Sequence, residues 1–461
     1  MGVISCVAMK TYRPYSPRQS FLFPPSPQDW LADDHLAYFI LDVVTQLDLS
    51  EIYAPYEREE RGFPPHHPQM MVGLLLYGYC TGVTSSRKLE KATWEDVATR
   101  VVSGGTHPDH SCIADFRAQH RKAFKKLFLQ VLQLCAKAGM VKLAHVALDG
   151  TKMKASASKH KAMSYERMKR QEKELTQRVE ELLRQAEARD ALDDQKYGKG
   201  KRGDELPEDL RHAESRLARI RAAKAELEAE AKALAEAERR ERDNDDEPPP
   251  DGPTPLPEHR VPHESDGTPK PKAQRNFTDP DSRIQKTGDG FVQGFNCQAA
   301  VDDAHQVIVA EAVTNQPPDV EHLAPMLEQV VENCGAAPQT VTADTGYFSE
   351  KNVAKAEAMG IDPYIATERW KRGEPRPVAP RGRPPTDLTP KQKMKRKLLT
   401  RGGLAIYARR KTTVEPVFGQ VKQARGLRQF LLRGIEKVRA EWSLICLTHN
   451  LLKLHRAAAA A

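Results

Sequence analysis

Between about Ser164 and Asp246 runs a long, very polar stretch in which Leu175, Val179 and Leu182, then Leu210, Leu217, Ile220, Leu227 and Leu234, recur at steps of three, four or seven. That spacing lays a narrow apolar seam along a helix and leaves too little apolar surface for an independent core. The segment KYGKGKRGDELP, with Gly198, Gly200, Gly203 and Pro207, parts the stretch into two arms. An antiparallel helical hairpin, a short coiled coil, is therefore expected at 164–246, inserted into something else. Its simplest role is a charged spacer, with DNA contact or dimerisation as alternatives. What flanks it decides what the chain is.

Upstream, from Arg13 to Gly139, the pattern is helical. Leu36, Phe39, Ile40, Val43, Val44 and Leu47 form an amphipathic stripe, and Met70 to Tyr79 is apolar enough to be the centre of a bundle. Thr84 to Ser86 are capping candidates for the helix that follows. Ser111 is the capping candidate for the next one, whose Ile113, Phe116, Phe124, Leu127, Val131 and Leu134 make one stripe before Gly139 ends it. The opposite face of that helix carries Arg117, Arg121, Lys122, Lys125 and Lys126. A cationic helix in a small helical domain fits a helix-turn-helix-like DNA reader, and a solvated polar face fits the same pattern. Residues 1–139 are expected to form this all-α, DNA-binding domain.

After Gly139 the period becomes extended. Val141 to Leu148 reads as a strand ending at Asp149-Gly150, which opens a second domain that the hairpin interrupts. The Pro-rich stretch 247–273 reads as a flexible linker. Structure resumes with Phe291 to Val301 and Gln306 to Val313, two strands joined at Asp302-Asp303-Ala304. A helix from Val320 to Cys334, a strand TVTA ending at Asp344, a helix capped by Ser349 and closed by Gly360, and a strand Pro363 to Ala366 follow. This order is α/β, and 140–163 with 274–456 is expected to be one domain. From Arg369 to Lys411 the chain is basic and Pro/Gly-rich, with only Glu374 and Asp387 as acids, which reads as a loop touching DNA phosphates.

Composition narrows the class. In 461 residues, 39% are apolar and 29% charged, the profile of two or three globular domains diluted by solvated segments. The longest apolar run, Met70 to Val83, is shorter than the roughly 18–20 residues that span a bilayer, so no membrane partner is expected. The amino terminus lacks the order of a secretory signal, and the seven cysteines are scattered without a CxxC pair. A reducing cytoplasm is expected. Net charge is +8, a bias toward a polyanionic partner.

Three acids stand out by position: Asp149 and Asp344 at strand ends, and Glu415 in the first turn of a helix after the basic loop. Singly each has an ordinary reading, since Asp-Gly is commonly a turn and an early helical Glu complements the macrodipole. If the first and fourth strands lie side by side, however, the two Asp carboxylates converge, and a helix on the sheet can supply the third. Three hard oxygen ligands at one point call for divalent cations, and Mg²⁺ (Mn²⁺ as substitute) fits them. Two such ions about 3.5–4 Å apart perform in-line phosphodiester displacement, whether cleavage or strand joining. Lys422 lies seven residues beyond Glu415, nearly the same helix face and about 10 Å along the axis, which places it toward flanking phosphates. Pro416 is tolerable in a first turn, and Tyr407, Arg410 and Lys411 approach from the preceding segment.

The strings ALDGTKMKASAS, NFTDPDSRIQ, GFNCQAAVD, TADTGYFSEKN and YARRKTTVEPVFGQVKQARGLRQFLLRG resemble those of DDE transposases of bacterial insertion sequences, in the group with a Tyr, Arg, Glu, Lys signature near the third acid. HHPQMMVGLLLYGYCTGVTSSRKLEKA and PDHSCIADFRAQH are similar to the helical domain that precedes the catalytic domain there. The resemblance implies an RNase H-like α/β core and a DNA cut-and-join reaction at terminal inverted repeats. It makes Asp149, Asp344 and Glu415 the metal ligands, with Tyr407, Arg410 and Lys422 the other signature residues. It also implies double-stranded DNA as partner, both terminal repeats and target, a homodimer in synapsis, and action in the bacterial cytoplasm at the nucleoid. Four residues rather than three separate Arg410 from Glu415, whereas Lys411 has the three-residue gap, so either cation fits the Arg role. Two competing readings are a transposase-derived DNA-binding protein without activity and a tyrosine recombinase using Tyr407. The first sits poorly with the presence of all three acids and Lys422, and the second with the lack of an HxxR motif near Tyr407.

Overall fold

The computed structural model describes residues 26–58, 64–197, 208–243, 253–288, 290–369, 378, 381–385 and 387–460. Its amino-terminal part is helical: α1 (Leu36–Gln46), α2 (Ser50–Glu57), α3 (Pro68–Thr81), α4 (Ser86–Glu95), α5 (Val97–Val102), α6 (His110–Gln119) and α7 (Arg121–Lys137). The apolar run becomes α3, buried continuously from Met71 to Cys80. It starts on Pro68, whose missing amide costs nothing there, and stops at Gly82, which adopts φ 82°. A side chain at Gly82 is excluded twice, because a Cβ would also meet the Arg425 carbonyl oxygen at 2.4 Å.

The single stripe expected from Ile113 to Leu134 is broken at His120 into α6 and α7. The cap of α6 is Asp109, not Ser111: its carboxylate accepts from the Ser111 and Cys112 amides at 2.7 and 2.9 Å. A carboxylate two positions earlier satisfies two orphan amides at once and complements the helix dipole.

The sheet is built from β1 (His145–Lys154), β4 (Arg283–Thr287), β5 (Gly290–Asp302), β6 (Ile308–Thr314), β7 (Thr340–Ala343) and β8 (Asp362–Ile365), while β2 (Ala162–Ser164) and β3 (Gln274–Asn276) form a small separate pair. The order is β4-β5-β1-β7-β8, with β6 also on β5. Strand β5 runs antiparallel to β1, from Val146 opposite Asp302 to Lys154 opposite Gly294, and to β4 and β6. Strands β7 and β8 run parallel to β1. The first long strand and the TVTA strand are therefore neighbours. Two features differ from the sequence expectation. β1 does not end at Asp149-Gly150 but pairs on to Lys154, and β4, too short and polar to declare itself, adds an edge.

Helices α10 (Leu323–Cys334) and α11 (Glu350–Ala358) connect the parallel strands, and α15 (Ile435–Ala460) lies between the sheet and α7 and α3. One hydrophobic core runs through both parts, from Ile40 and Leu75 through Val131 to Phe295, Trp442 and Leu447. The sheet and the amino-terminal helices therefore share a continuous interior.

Helices α8 (Tyr165–Tyr197) and α9 (Glu208–Asp243) run antiparallel, as Tyr165 to Glu228 and Glu172 to Arg221 contacts require. The segment KYGKGKRGDELP lies outside the described residues apart from Lys196 and Tyr197. The stretch read as a flexible linker, 247–273, is packed where it is described: Val261 and Ala273 are buried against Tyr165, Leu227 and Ala231. Proline rules out regular structure there but not burial.

The basic segment is likewise not all loop. Much of it before Pro390 lies outside the described residues, but α12 (Pro390–Leu399) and α13 (Arg401–Ala408) follow, the first opened by a Thr389–Gln392 capping box. Helix α14 (Arg410–Gly419) leads into a π-helical turn at Gln420–Ala424. Among the described residues no helix is long and apolar enough to cross a membrane.

Candidate active site

The parallel register of β1 and β7 pairs Ala147 with Thr342, and Asp149 and Asp344 each stand two residues further along. Adjacent strands lie about 4.8 Å apart, so the register alone brings both carboxylates to one level of the sheet. Asp344 caps a 3₁₀ turn, accepting from the Gly346 amide at 2.8 Å. Asp149 accepts from the Gly150 amide at 2.9 Å through one oxygen and from Arg410 Nη1 at 2.7 Å through the other.

Arg410 is the hub. Its second nitrogen, Nη2, reaches Glu415 Oε1 at 3.3 Å, so one guanidinium joins acids from β1 and α14. Glu415 is exposed and stands in the second turn of α14, not the first. Pro416 is consequently inside the helix, where it leaves the Thr412 carbonyl without its usual amide; Gln306 Nε2 donates to that oxygen at 2.7 Å instead. Tyr407 sits half-buried beside Arg410. Lys411 is exposed and is not drawn to the acids, so of the two cations the one brought into the cluster is Arg410.

The electrostatics follow. Burial pushes the Asp149 carboxyl up to about 6, Arg410 pulls it down, and Asp344 and Asp319 push it up again. Burial lowers the Arg410 guanidinium, but Asp149, Tyr407, Asp344 and Glu415 more than offset this and hold it above its ordinary value. Burial also raises the Tyr407 phenol. Among the described residues no three His, Cys, Asp or Glu side chains close into a ready metal cage; Arg410 lies between the acids. The donor set is nevertheless hard oxygen throughout and carries more negative charge than one guanidinium balances, which suits a divalent cation.

Lys422 does not follow the helical register with Glu415, because the π turn intervenes. Its amine is half-buried against β1, donating to Thr151 Oγ1 at 2.5 Å and the Lys152 carbonyl at 2.9 Å, and burial lowers it. It therefore stands two residues along the strand from Asp149, bound to the chain itself.

Arg117 is a correction. It is 5% exposed and donates to Tyr79 Oη at 3.2 Å and the Thr84 carbonyl at 3.0 Å. The break at His120 turns that part of the stripe inward, so Arg117 is not on a DNA-facing surface. Arg121 is half-buried at the start of α7, where it lines a cleft of about 1820 Å³ together with Arg58, Lys122, Lys125 and Arg260.

Sequence reasoning missed a fourth acid. Asp319, in the loop after β6, accepts through Oδ1 from Asn296 Nδ2 at 2.7 Å, Gln298 Nε2 at 2.9 Å and Lys152 Nζ at 3.1 Å. Tyr347, three residues after Asp344, donates to Gln298 Oε1. This network forms a floor under Asp149. A Cβ at Gly150 would meet Gln298 Nε2 at 2.6 Å, Asp319 Oδ1 at 2.9 Å and Tyr347 Oη at 3.2 Å. The glycine after Asp149 is thus a matter of space and not of a turn. The available signal was the pair Asn296 and Gln298, two amides on the same face of a strand otherwise rich in apolar and small residues.

Residues 259–451 match the family model described as a transposase DDE domain, and residues 25–119 match a transposase domain (DUF772). Asp344, Glu415 and Lys422 fall inside the first match, whereas Asp149 lies between the two. No curated protein and no solved structure matches the chain. Two transposase families, in this order and covering between them more than half of the sequence, agree with the motifs and with the acids gathered at Arg410: the chain belongs to the DDE transposases of insertion sequences.

Proposed function

We propose that the protein binds the terminal inverted repeats of its insertion sequence and catalyses divalent-metal-dependent DNA strand cleavage and strand transfer. The observation that carries this reading is the register that brings Asp149 and Asp344 to one level of the sheet, with the Arg410 guanidinium joining Asp149 to Glu415 from far along the sequence. The strand order β6-β5-β1-β7-β8, antiparallel on one side of β1 and parallel on the other, supports an RNase H-like reading of the core. On that reading 140–163 with 274–456 is the catalytic unit, 164–246 an inserted hairpin, and 1–139 a DNA-binding unit.

Asp149, Asp344 and Glu415 would hold Mg²⁺, or Mn²⁺ in its place. Bound there, a pair of ions lowers the pKa of the attacking water or sugar hydroxyl and stabilises the leaving oxygen. The Asp319 network packs against Gly150, next to Asp149, and leaves no room there for a side chain. Once released by the acids, the Arg410 fork suits a phosphate bidentately, with Tyr407 beside it and Lys411 and Lys422 as further phosphate contacts on this reading. Synapsis of two ends calls for a dimer working on double-stranded DNA at the nucleoid.

The test is purified protein with DNA spanning the flanks of its own reading frame and Mg²⁺, beside Asp344→Asn. Strand cleavage by the parent and none by the variant is expected; equal cleavage by both removes the metal reading.

A further inference from the structure

The turn from Asp303 to Val307 joins β5 to β6 and meets the start of α14, the helix that supplies Arg410 and Glu415. Within it Gln306 adopts φ 58°, a left-handed conformation that a residue with a side chain keeps only where its surroundings hold it. Those surroundings are α15. The wholly buried His449 donates through Nε2 to the Gln306 carbonyl at 2.9 Å, and Lys453 Nζ donates to Gln306 Oε1. An ammonium has only hydrogens to give, so the amide oxygen of Gln306 faces Lys453 and its nitrogen faces the other way. That nitrogen reaches the Thr412 carbonyl at 2.7 Å.

The carbonyl it meets is the weak point of α14. Thr412 lies between Arg410 and Glu415, and Pro416 both withholds the amide a helix would give that oxygen and crowds it with its ring. A chain of this kind ordinarily begins its helix at the proline, which would put Glu415 outside the helix and not in its second turn. The start of α14 has no side-chain cap of its own, since Arg409 stands in the cap position without such a bond. Arg409 instead meets Asp303 at 3.3 Å, and Asp303 meets His145 Nδ1 at 3.3 Å. The β5–β6 turn therefore holds α14 on both sides of Arg410. The exposed Arg409 contributes little through its ion pair, which leaves Gln306 as the principal tie.

We propose that Gln306 is a positioning residue for strand cleavage. By donating to the Thr412 carbonyl it keeps the turn between Arg410 and Glu415 helical ahead of Pro416, and so holds the Glu415 carboxylate within reach of the guanidinium that joins it to Asp149. It acts through the helix backbone and not on the reacting atoms. The inference deepens the transposase reading and rests on it.

The experiment uses the full chain with Mg²⁺ and DNA spanning the flanks of its reading frame, and measures kcat and KM of cleavage for the parent, Gln306→Glu, Pro416→Ala and the double variant. Gln306→Glu keeps the shape and an acceptor for Lys453 but has no hydrogen to give Thr412. It is expected to lower kcat about tenfold with KM for DNA unchanged, the mark of a misdirected group and not of weakened binding. Pro416→Ala returns an amide to the Thr412 carbonyl and is expected to cleave within about twofold of the parent. Because that amide replaces the one lost from Gln306, the double variant is expected to recover to within about threefold of the parent. A general structural role for Gln306 would give no such recovery, since alanine at 416 repairs neither the turn nor its bonds to α15. A double variant no faster than Gln306→Glu overturns the inference, as does parent-like kcat in Gln306→Glu, and both leave the transposase reading standing. A parent protein that cleaves nothing overturns both.

Discussion

The floor and the mouth of the proposed active site hold similar residues under different rules. In the floor, Asp319 meets Lys152, Asn296 and Gln298, and the charges balance within the chain. In the mouth, Asp149 and Glu415 share one guanidinium with Asp344 on the neighbouring strand, and burial leaves the Asp149 carboxyl up near 6. A structure that completes itself in one layer and stays short of positive charge in the next separates support from chemistry. The floor should answer to stability, and the mouth to activity.

The sharpest way to break that contrast is Glu415→Gln. Strand cleavage is expected to fall by at least about 10³-fold, as for loss of a group acting directly on transition-state charge. Thermal unfolding should stay within a degree or two, because Glu415 is exposed. A large loss of stability would erase the distinction.

A buried acid outside both layers calibrates the scale. Glu311 has its carboxylate on Ser443 Oγ at 2.6 Å, and burial raises it to about 7 from an ordinary 4.5. A raised folded-state value adds stability that is complete below pH 4.5 and is lost as pH rises through about 7. Unfolding free energy should fall by about 3 kcal/mol across that window, and Glu311→Gln should flatten the fall in urea titrations at pH 4.5 and 7.5.

Asp319→Ala leaves Lys152, Asn296 and Gln298 without their shared acceptor and is expected to cost about 2 kcal/mol of stability. Asp319→Asn should recover part of it. A variant that keeps full stability and loses cleavage would move Asp319 from the floor to the mouth.

The smallest effect concerns Arg410→Gln. With the internal cation gone, Mn²⁺ should bind about tenfold more tightly by electron paramagnetic resonance titration, since Asp149 and Glu415 no longer share their oxygens with a guanidinium. Unchanged affinity would mean that Arg410 and the ion do not compete.

How much of this was legible depends on what kind of information each residue carries. Asp149 and Asp344 were readable because extended runs lead up to each, and the α/β order made their strands neighbours. Glu415 was readable by motif, but its place in the helix was not. Pro416 signals a first turn locally, and only Gln306, brought in from the β5–β6 turn, lets α14 begin earlier. Asp319 was invisible because it lies in a loop whose address is set by two strand amides and a lysine from elsewhere in the chain. Arg117 misled because helical spacing was counted across His120, where the helix stops. The Pro-rich stretch misled in the opposite direction, since composition forbids regular backbone without saying what the backbone lies against.

The insertion of α8 and α9 between β1 and β5 has a consequence for how the enzyme is made. Asp149 leaves the ribosome early, yet β5 and β7, which hold its strand, follow only after the hairpin, and Glu415 comes more than 260 residues later. At ordinary rates of translation that interval lasts roughly tens of seconds. A nascent chain therefore carries the proposed site in pieces until synthesis has passed α14.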